Sequence, residues 1–289
     1  MNYQTFEPHP DLGSIISCYW TLEVPKTEET QRQRIIPDGT IEMAFILGDD
    51  IKRYTSEDRF IIQPRAMVLG HTTDPFYIEP TGSVNTFAIR FYPYGFAHFV
   101  NAPIKALANT ETPLVELFEE KEVRKLEQDI IHAADAQQRI EVIESFLLSK
   151  LNEKATLDSV VKSTIETLFE TKGSTSISKI LNDDLSKRRQ LERKFVKQIG
   201  VSPKQLGKLI RLQSALKVML NEDESLTDVA YQNDYYDLSH FYNSFFHWRR
   251  NLSIAFQSVD LRLHEKSNIG SYRCHIRFWL HCLLQRRPG

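Results

Sequence analysis

LSKRRQLERKFVKQIGVSP, Leu185 to Pro203, is the stretch on which the reading of the fold turns. Leu191 and Phe195 stand four residues apart, the spacing that puts two side chains on one face of a helix. Around them lie Lys187, Arg188, Arg189, Gln190, Arg193, Lys194 and Lys197, which such a helix turns outward. The stretch ends on Ser202-Pro203-Lys204-Gln205: an N-cap serine, a proline at the first helical position and a glutamine at the third. A second helix therefore starts at Pro203, with Leu206, Leu209, Ile210, Leu216 and Met219 on its apolar face. It is expected to run to about Leu220, where Asn221-Glu222-Asp223-Glu224 breaks the pattern.

Charge is concentrated in the same place. Between Ser186 and Lys217 ten basic residues face only Glu192, a local balance of +9. The whole chain carries a net -2, so the remainder holds -11. A basic block inside an acidic chain fits a phosphate-binding module joined to something else. Upstream, Ile177-Ser178-Lys179-Ile180-Leu181 reads as a short apolar helix before a turn. Downstream, Leu226 to Gln232 followed by Asn233 to Phe241 repeats the arrangement. Each is a helix-turn-helix unit, whose second helix lies in the major groove and reaches base edges with its exposed N-terminal side chains. Arginine, lysine, asparagine and glutamine make bidentate base contacts there, while other basic groups hold phosphates.

The strings QLERKF, GVSPKQL and IRLQSAL, followed by SLTDVAYQNDYYDLSHF, resemble the two signature halves of AraC/XylS-type regulators over Ser174 to Phe245. The resemblance implies a linker helix that holds two recognition helices in successive major grooves. It implies DNA contacts from Lys187, Arg188, Arg189, Gln190, Arg193, Lys194 and Lys197 in the first unit. In the second it implies contacts from Asp237, Leu238, Ser239, His240 and Asn243, with Phe241 and Phe245 in the core. Ser186 stands one residue further from Leu191 than the family's capping serine, and Asp234 replaces a turn glycine. Tyr19-Trp20, Ile36-Pro37-Asp38-Gly39 and Gly70-His71 resemble motifs of a domain that precedes such regulators, which by analogy is a cupin-like sensor or dimerisation module.

The N-terminal half reads as strands on its own terms. Ile15–Trp20, Ile41–Ile46, Ala66–Leu69 and Thr86–Phe91 are β-branched and aromatic runs separated by Pro37-Asp38-Gly39, Gly48-Asp49-Asp50, Pro80-Thr81-Gly82 and Pro93-Tyr94-Gly95. An antiparallel barrel or sandwich follows. Pro37-Asp38-Gly39 is expected as a hairpin turn rather than a ligand clamp, and Trp20, Phe45, Phe76 and Phe91 as core aromatics. From Pro113 the spacing turns helical, through Leu114, Leu117 and Phe118, then Ile140, Ile143, Leu147 and Leu151. Thr171-Lys172-Gly173-Ser174 is the candidate linker.

Other function classes are poorly supported. There is no Gly-rich phosphate loop, no GxSxG and no HExxH. Cys18, Cys274 and Cys282 have no metal-ligand spacing, and His71 and His98 stand in no HxH pair, so no metal or cofactor is expected. The N-terminus has no signal-peptide pattern and no run reaches ~20 apolar residues, which reads as a cytoplasmic protein that does not enter a membrane.

The expected organisation is α+β. Residues 1–150 form a β-rich sensor or dimerisation domain with a helical end, 151–173 a helical connector, 174–256 an all-α domain with two helix-turn-helix units, and 257–289 an atypical tail. The expected function is sequence-specific regulation of transcription, not catalysis. Its partners are double-stranded promoter DNA, a small-molecule effector, a second copy and RNA polymerase. The alternative is a small-molecule-binding or isomerase-like barrel with an accessory helical interaction domain. Two readings of the tail stand side by side. Offsets from the first unit call for glycine, serine and proline at positions 250, 252 and 253, where the chain has Arg250, Leu252 and Ser253. Trp248 before Arg249 reads as glycine one base later, so a frameshift between about Ser239 and Trp248 restores the motif. A divergent tail whose arginines add phosphate contacts is the other reading.

Overall fold

A computed structural model of the chain describes residues 1–27, 32–151 and 157–221. Ten strands come first: β1 (Asn2–Phe6), β2 (Ile16–Val24), β3 (Gln33–Ile35), β4 (Ile41–Ile46), β5 (Ile51–Tyr54), β6 (Phe60–Ile62), β7 (Ala66–Leu69), β8 (Phe76–Pro80), β9 (Val84–Phe91) and β10 (Glu111–Pro113). Between β9 and β10 lies the one-turn helix α1 (Ile104–Leu107). The helices α2 (Glu120–His132) and α3 (Ala136–Lys150) follow β10.

The strands form two antiparallel sheets, one of six strands ordered β1-β2-β9-β4-β7-β10 and one of four ordered β3-β8-β5-β6. All four strand runs legible in the sequence, now β2, β4, β7 and β9, lie in the larger sheet. β4 shows why it is apolar at every position but one. Ile41, Met43 and Phe45 face a core built with α2, α3 and Phe87, Ile89 and Phe91 of β9. Ala44 and Ile46 face the smaller sheet with Ile51, Met67 and Ala88. The larger sheet is thus the middle layer of three, and a strand buried on both faces loses the usual apolar–polar alternation. Phe45, Phe76 and Phe91 are buried as expected, and Trp20 is half-buried.

The polar exception in β4 is Glu42. It accepts from Arg90 Nε at 2.7 Å, from Arg90 Nη2 at 2.6 Å and from Trp20 Nε1 at 3.2 Å. Asp38 stands 3.6 Å from the same guanidinium. Burial opposes the Arg90 charge, but the two carboxylates outweigh it and hold the group protonated.

The second half is helical: α4 (Ser159–Glu170), α5 (Ile177–Ile180), α6 (Arg188–Ile199) and α7 (Pro203–Asn221). Val161, Ile165 and Leu168 of α4 share one core with Leu191, Phe195 and Ile199 of α6 and Leu206 and Ile210 of α7. Two sequence expectations change here. The stretch taken as a connector supplies α4 to this core. The stretch taken as a linker, 171–174, is a tight turn inside it, with Lys172 and Gly173 at φ 51 and 73°. The cause is packing: a Cβ on Gly173 would stand 2.1 Å from the Gly207 carbonyl oxygen of α7. Pro37-Asp38-Gly39 also differs from expectation. It is a turn, but β3 and β4 belong to different sheets, so it is a crossover and not a hairpin. The second unit beyond Asn221 and the tail to Gly289 lie outside the described residues.

Candidate nucleic-acid interface

Helix α6 is set by its own sequence. Leu191, Phe195 and Ile199 recur at intervals of four and are 2, 0 and 0% exposed, which fixes which side points inward. Its C-terminus closes on Gly200 at φ 93°, the left-handed cap that glycine adopts without Cβ strain. Its start is tied by Asp184, which accepts from the backbone N–H of Ser186 at 3.2 Å and pairs with Lys187 at 2.8 Å. These bonds hold the Asp184 carboxyl down at about 2. Lys187 occupies the cap position of α6 without a side-chain cap bond, and Asp184 instead holds the turn that leads into it.

α7 begins on the capping box read from the sequence. The Ser202 N–H donates to Gln205 Oε1 at 2.9 Å, and the Gln205 N–H donates to Ser202 Oγ at 3.2 Å. Leu206, Leu209 and Ile210 are buried as expected, and Leu212 and Ala215 are buried as well. Among residues 203–215 only Lys204, Gln205 and Lys208 are exposed. Leu216 and Met219 have side chains outside the described set.

The outward face of α6 carries the residues expected to meet DNA. Gln190, Arg193 and Lys197 follow at three and four residues, so they form one exposed stripe opposite the core, with Arg189 beside it. Among the described residues Arg189, Arg193 and Lys197 enter no ion pair. The other basic groups are engaged. Lys187 pairs with Asp184, Arg188 lies 3.3 Å from Glu192, and half-buried Lys194 lies 2.6 Å from Asp158. Asp158 is the N-cap of α4 and accepts from the Val160 N–H. The Lys194 bond is the first cause of its lowered carboxyl. Lys194 therefore ties α6 to α4, a role hidden in the sequence because its partner lies 36 residues away. Asp237, Leu238, Ser239, His240 and Asn243 lie outside the described residues.

Among the described residues the β-rich domain touches this helical unit at several places, Tyr94 packing on its core. Gln213 Nε2 of α7 donates to the Pro37 carbonyl oxygen at 2.7 Å. Gly39, at φ 78°, brings its backbone so close that a Cβ would stand 3.0 Å from Leu206 Cδ1 and 3.7 Å from Leu209 Cβ. Ile104 of α1 packs on Gly200, whose Cβ would lie 3.1 Å from the Ile104 carbonyl oxygen. Next to that contact a cleft of about 260 Å³ separates Tyr94, His98 and Asn101 from Lys197 and Gln198 of α6. Burial lowers the His98 imidazole. His71 is fully buried and bonds through Nε2 to the Pro93 carbonyl at 3.1 Å. No group of three His, Cys, Asp or Glu side chains able to hold a metal occurs among the described residues. No helix among them is long and apolar enough to cross a membrane.

Comparison with known proteins finds two separate family matches along the chain. Residues 4–113 match a domain of unknown function (DUF6597), and residues 186–253 match a helix-turn-helix domain. No curated protein matches the chain. Solved structures of ToxT from Vibrio cholerae are similar at low identity. One crystal form is 13% identical over 85% of this chain and 94% of that one, with a TM-score of 0.44. An apo ToxT variant is 12% identical over 88% and 98%, with a TM-score of 0.45. ToxT with a bound unsaturated fatty acid is 15% identical over 78% and 89%, with a TM-score of 0.41. This chain thus carries a helix-turn-helix domain behind a β-rich domain of unknown function.

Proposed function

We propose that α6 is the first recognition helix of a promoter-binding regulator, entering the major groove of double-stranded DNA. The observation that supports this most is its outward stripe: Gln190, Arg193 and Lys197, with Arg189 alongside, exposed on a helix whose opposite side is locked in a core. Cations in one row that enter no ion pair among the described residues suit an external polyanion. Arg189, Gln190 and Arg193, on the N-terminal half, read base edges; Lys187, Arg188 and Lys197 hold phosphates. Lys194 positions α6 through Asp158 and contributes charge from behind. Asp237, Leu238, Ser239, His240 and Asn243 serve the second unit in the adjacent groove.

The DNA-binding domain in this reading begins at α4 rather than at Ser174, because α4 shares its core. The β-rich domain acts as the sensor, through its contacts with α7 and Gly200. The cleft between His98 and Lys197 is where a small-molecule effector would bear on α6. A second copy and RNA polymerase complete the set of partners, in the cytoplasm, with no catalytic step. An isomerase-like barrel is the less favoured reading, since the buried Glu42 and Arg90 of the larger sheet pair with each other rather than face an open pocket.

The test is selection of bound fragments from a random DNA pool by the full chain at controlled salt. An enriched motif is expected, with affinity falling about 10²–10³-fold between 50 and 200 mM salt for about 4–6 phosphate contacts. Absence of enrichment, or affinity insensitive to salt, overturns the reading.

A further inference from the structure

Strand β6 is an apolar sheet edge. Phe60, Ile61 and Ile62 are 47, 51 and 48% exposed, whereas the other large exposed apolar residues among those described, such as Val115, Ile131 and Leu148, stand singly. Three half-exposed side chains in a row present on the order of 300 Å² of apolar surface, a patch size that on monomers is often functional. The strand is held in place from inside its own sheet: the Tyr54 ring meets Phe60 at 5.8 Å and Lys52 Nζ stands 5.1 Å from it. β6 ends its sheet, since the strand order is β3-β8-β5-β6.

The backbone of this edge has a definite polarity. β6 pairs antiparallel with β5 in the register Arg53↔Ile61, and the same register continues into the bonds Gln63 N–H to Ile51 at 2.9 Å and Thr55 N–H to Arg59 at 2.9 Å. In an antiparallel ladder bonded pairs alternate with non-bonded ones. Residues 59, 61 and 63 therefore turn their N–H and C=O groups toward β5. Phe60 and Ile62 turn theirs outward, where no further strand among the described residues pairs with them.

The geometry points to a dimer in which β6 of one copy pairs antiparallel with β6 of a second copy, about a two-fold axis through Ile61, joining the two four-stranded sheets. The outward groups at 60 and 62 are symmetric about 61, so the edge is complementary to itself. Phe60 of each copy falls opposite Ile62 of the other in a bonded pair, which gives about four main-chain bonds. Ile61 meets Ile61 of the second copy at the close, non-bonded position on the opposite face, where apolar cross-strand pairs add stability. No like charges are opposed, because Arg59 falls opposite Gln63 and Asp58 opposite Pro64. A two-fold contact of this kind closes after two copies, which removes the edge from further pairing. Its small area makes the association weak, with Kd about 10–100 µM.

Sedimentation velocity of the full chain without DNA, at about 1–200 µM, tests the dimer independently of the reading of α6. Ile62→Pro removes an outward N–H and leaves the bonds to β5 intact, the one placement a strand edge tolerates. Ile61→Lys brings two ammonium groups together across the axis. The wild type is expected to equilibrate between monomer and dimer, and each variant to weaken the dimer at least about tenfold with unchanged circular dichroism, while Val115→Lys leaves it unaltered. If Ile62→Pro fails to fold, Ile61→Lys decides alone. A wild type that stays monomeric, an equilibrium untouched by the variants, or an open series of growing oligomers overturns the inference.

Discussion

Replacing Gly173 by alanine adds one methyl group, and the structure states what that group meets. At φ 73° an alanine occupies the left-handed region, which costs about 1–2 kcal/mol relative to glycine. Its Cβ would stand 2.1 Å from the Gly207 carbonyl oxygen and 3.0 Å from the Arg211 amide nitrogen. Both are backbone atoms of α7, so no rotamer change relieves the contact and the turn must retreat by about 1 Å. Overpacking of this kind costs about 1–3 kcal/mol. Retreat also loosens the fork that Arg211 makes to the Gly173 carbonyl through Nε at 3.1 Å and Nη2 at 2.5 Å, worth about 1 kcal/mol or more. The expected destabilisation of the helical unit is about 2–5 kcal/mol. Gly207→Ala, on the other side of the same contact, would meet Leu168 Cδ2 at 3.2 Å and the Gly173 carbonyl oxygen at an ordinary 3.8 Å. The first is a movable side-chain end, and alanine gains up to about 1 kcal/mol of helix propensity. Urea unfolding of each full-length variant, followed by circular dichroism for the whole fold and by DNA binding for the helical half, reads the difference. Equal midpoints for Gly173→Ala and Gly207→Ala would refute the idea that 171–174 is a packed turn.

Arg189→Ala should relax base preference at one position of a selected motif, whereas Lys197→Ala should weaken all sequences alike and reduce the salt slope by about 1; identical effects would remove the division of roles along α6. Arg90→Ala leaves Glu42 buried without its cation and should cost the β-rich domain about 3–5 kcal/mol, measured by calorimetry; a loss under about 1 kcal/mol would mean that water replaces the guanidinium. The Asp184 carboxyl is lowered in the fold, so its contribution is present above its unfolded value of ~3.9 and is lost as pH falls toward about 2. The Ser186 amide resonance should titrate with that low midpoint, and a midpoint near 4 would show that the tie to α6 is absent.

What the sequence disclosed depends on how local the cause was. The four strand runs were legible because β2, β4, β7 and β9 build the doubly covered sheet, where burial demands continuous apolar residues. β5 and β8 escaped notice because their charges are paired across strands, Lys52 with Glu79 at 2.9 Å, and only the fold supplies the partner. The capping box of α7 was readable since all its atoms lie within four residues. Pro37-Asp38-Gly39 was readable as a turn, but its contact with Leu206 and Gln213 depends on a helix far along the chain. The same holds at α6. Its basic outward side follows from spacing alone. That Lys194 is tied to Asp158 while Arg189, Arg193 and Lys197 enter no ion pair among the described residues is a tertiary fact.

The contact between Pro37 and Gln213 joins residues 176 positions apart, and that separation sets an order of events during synthesis. A ribosome adding about 5–20 residues per second delivers Gln213 on the order of 10–35 s after Pro37. Late in that interval, once α3 has been made, the β-rich domain can fold, since α2 and α3 complete its core. Its Gly39 surface and the Ile104 seat for Gly200 then wait uncovered for α7. The nascent chain therefore passes through a stage in which the β-rich domain is complete and its docking face is still bare.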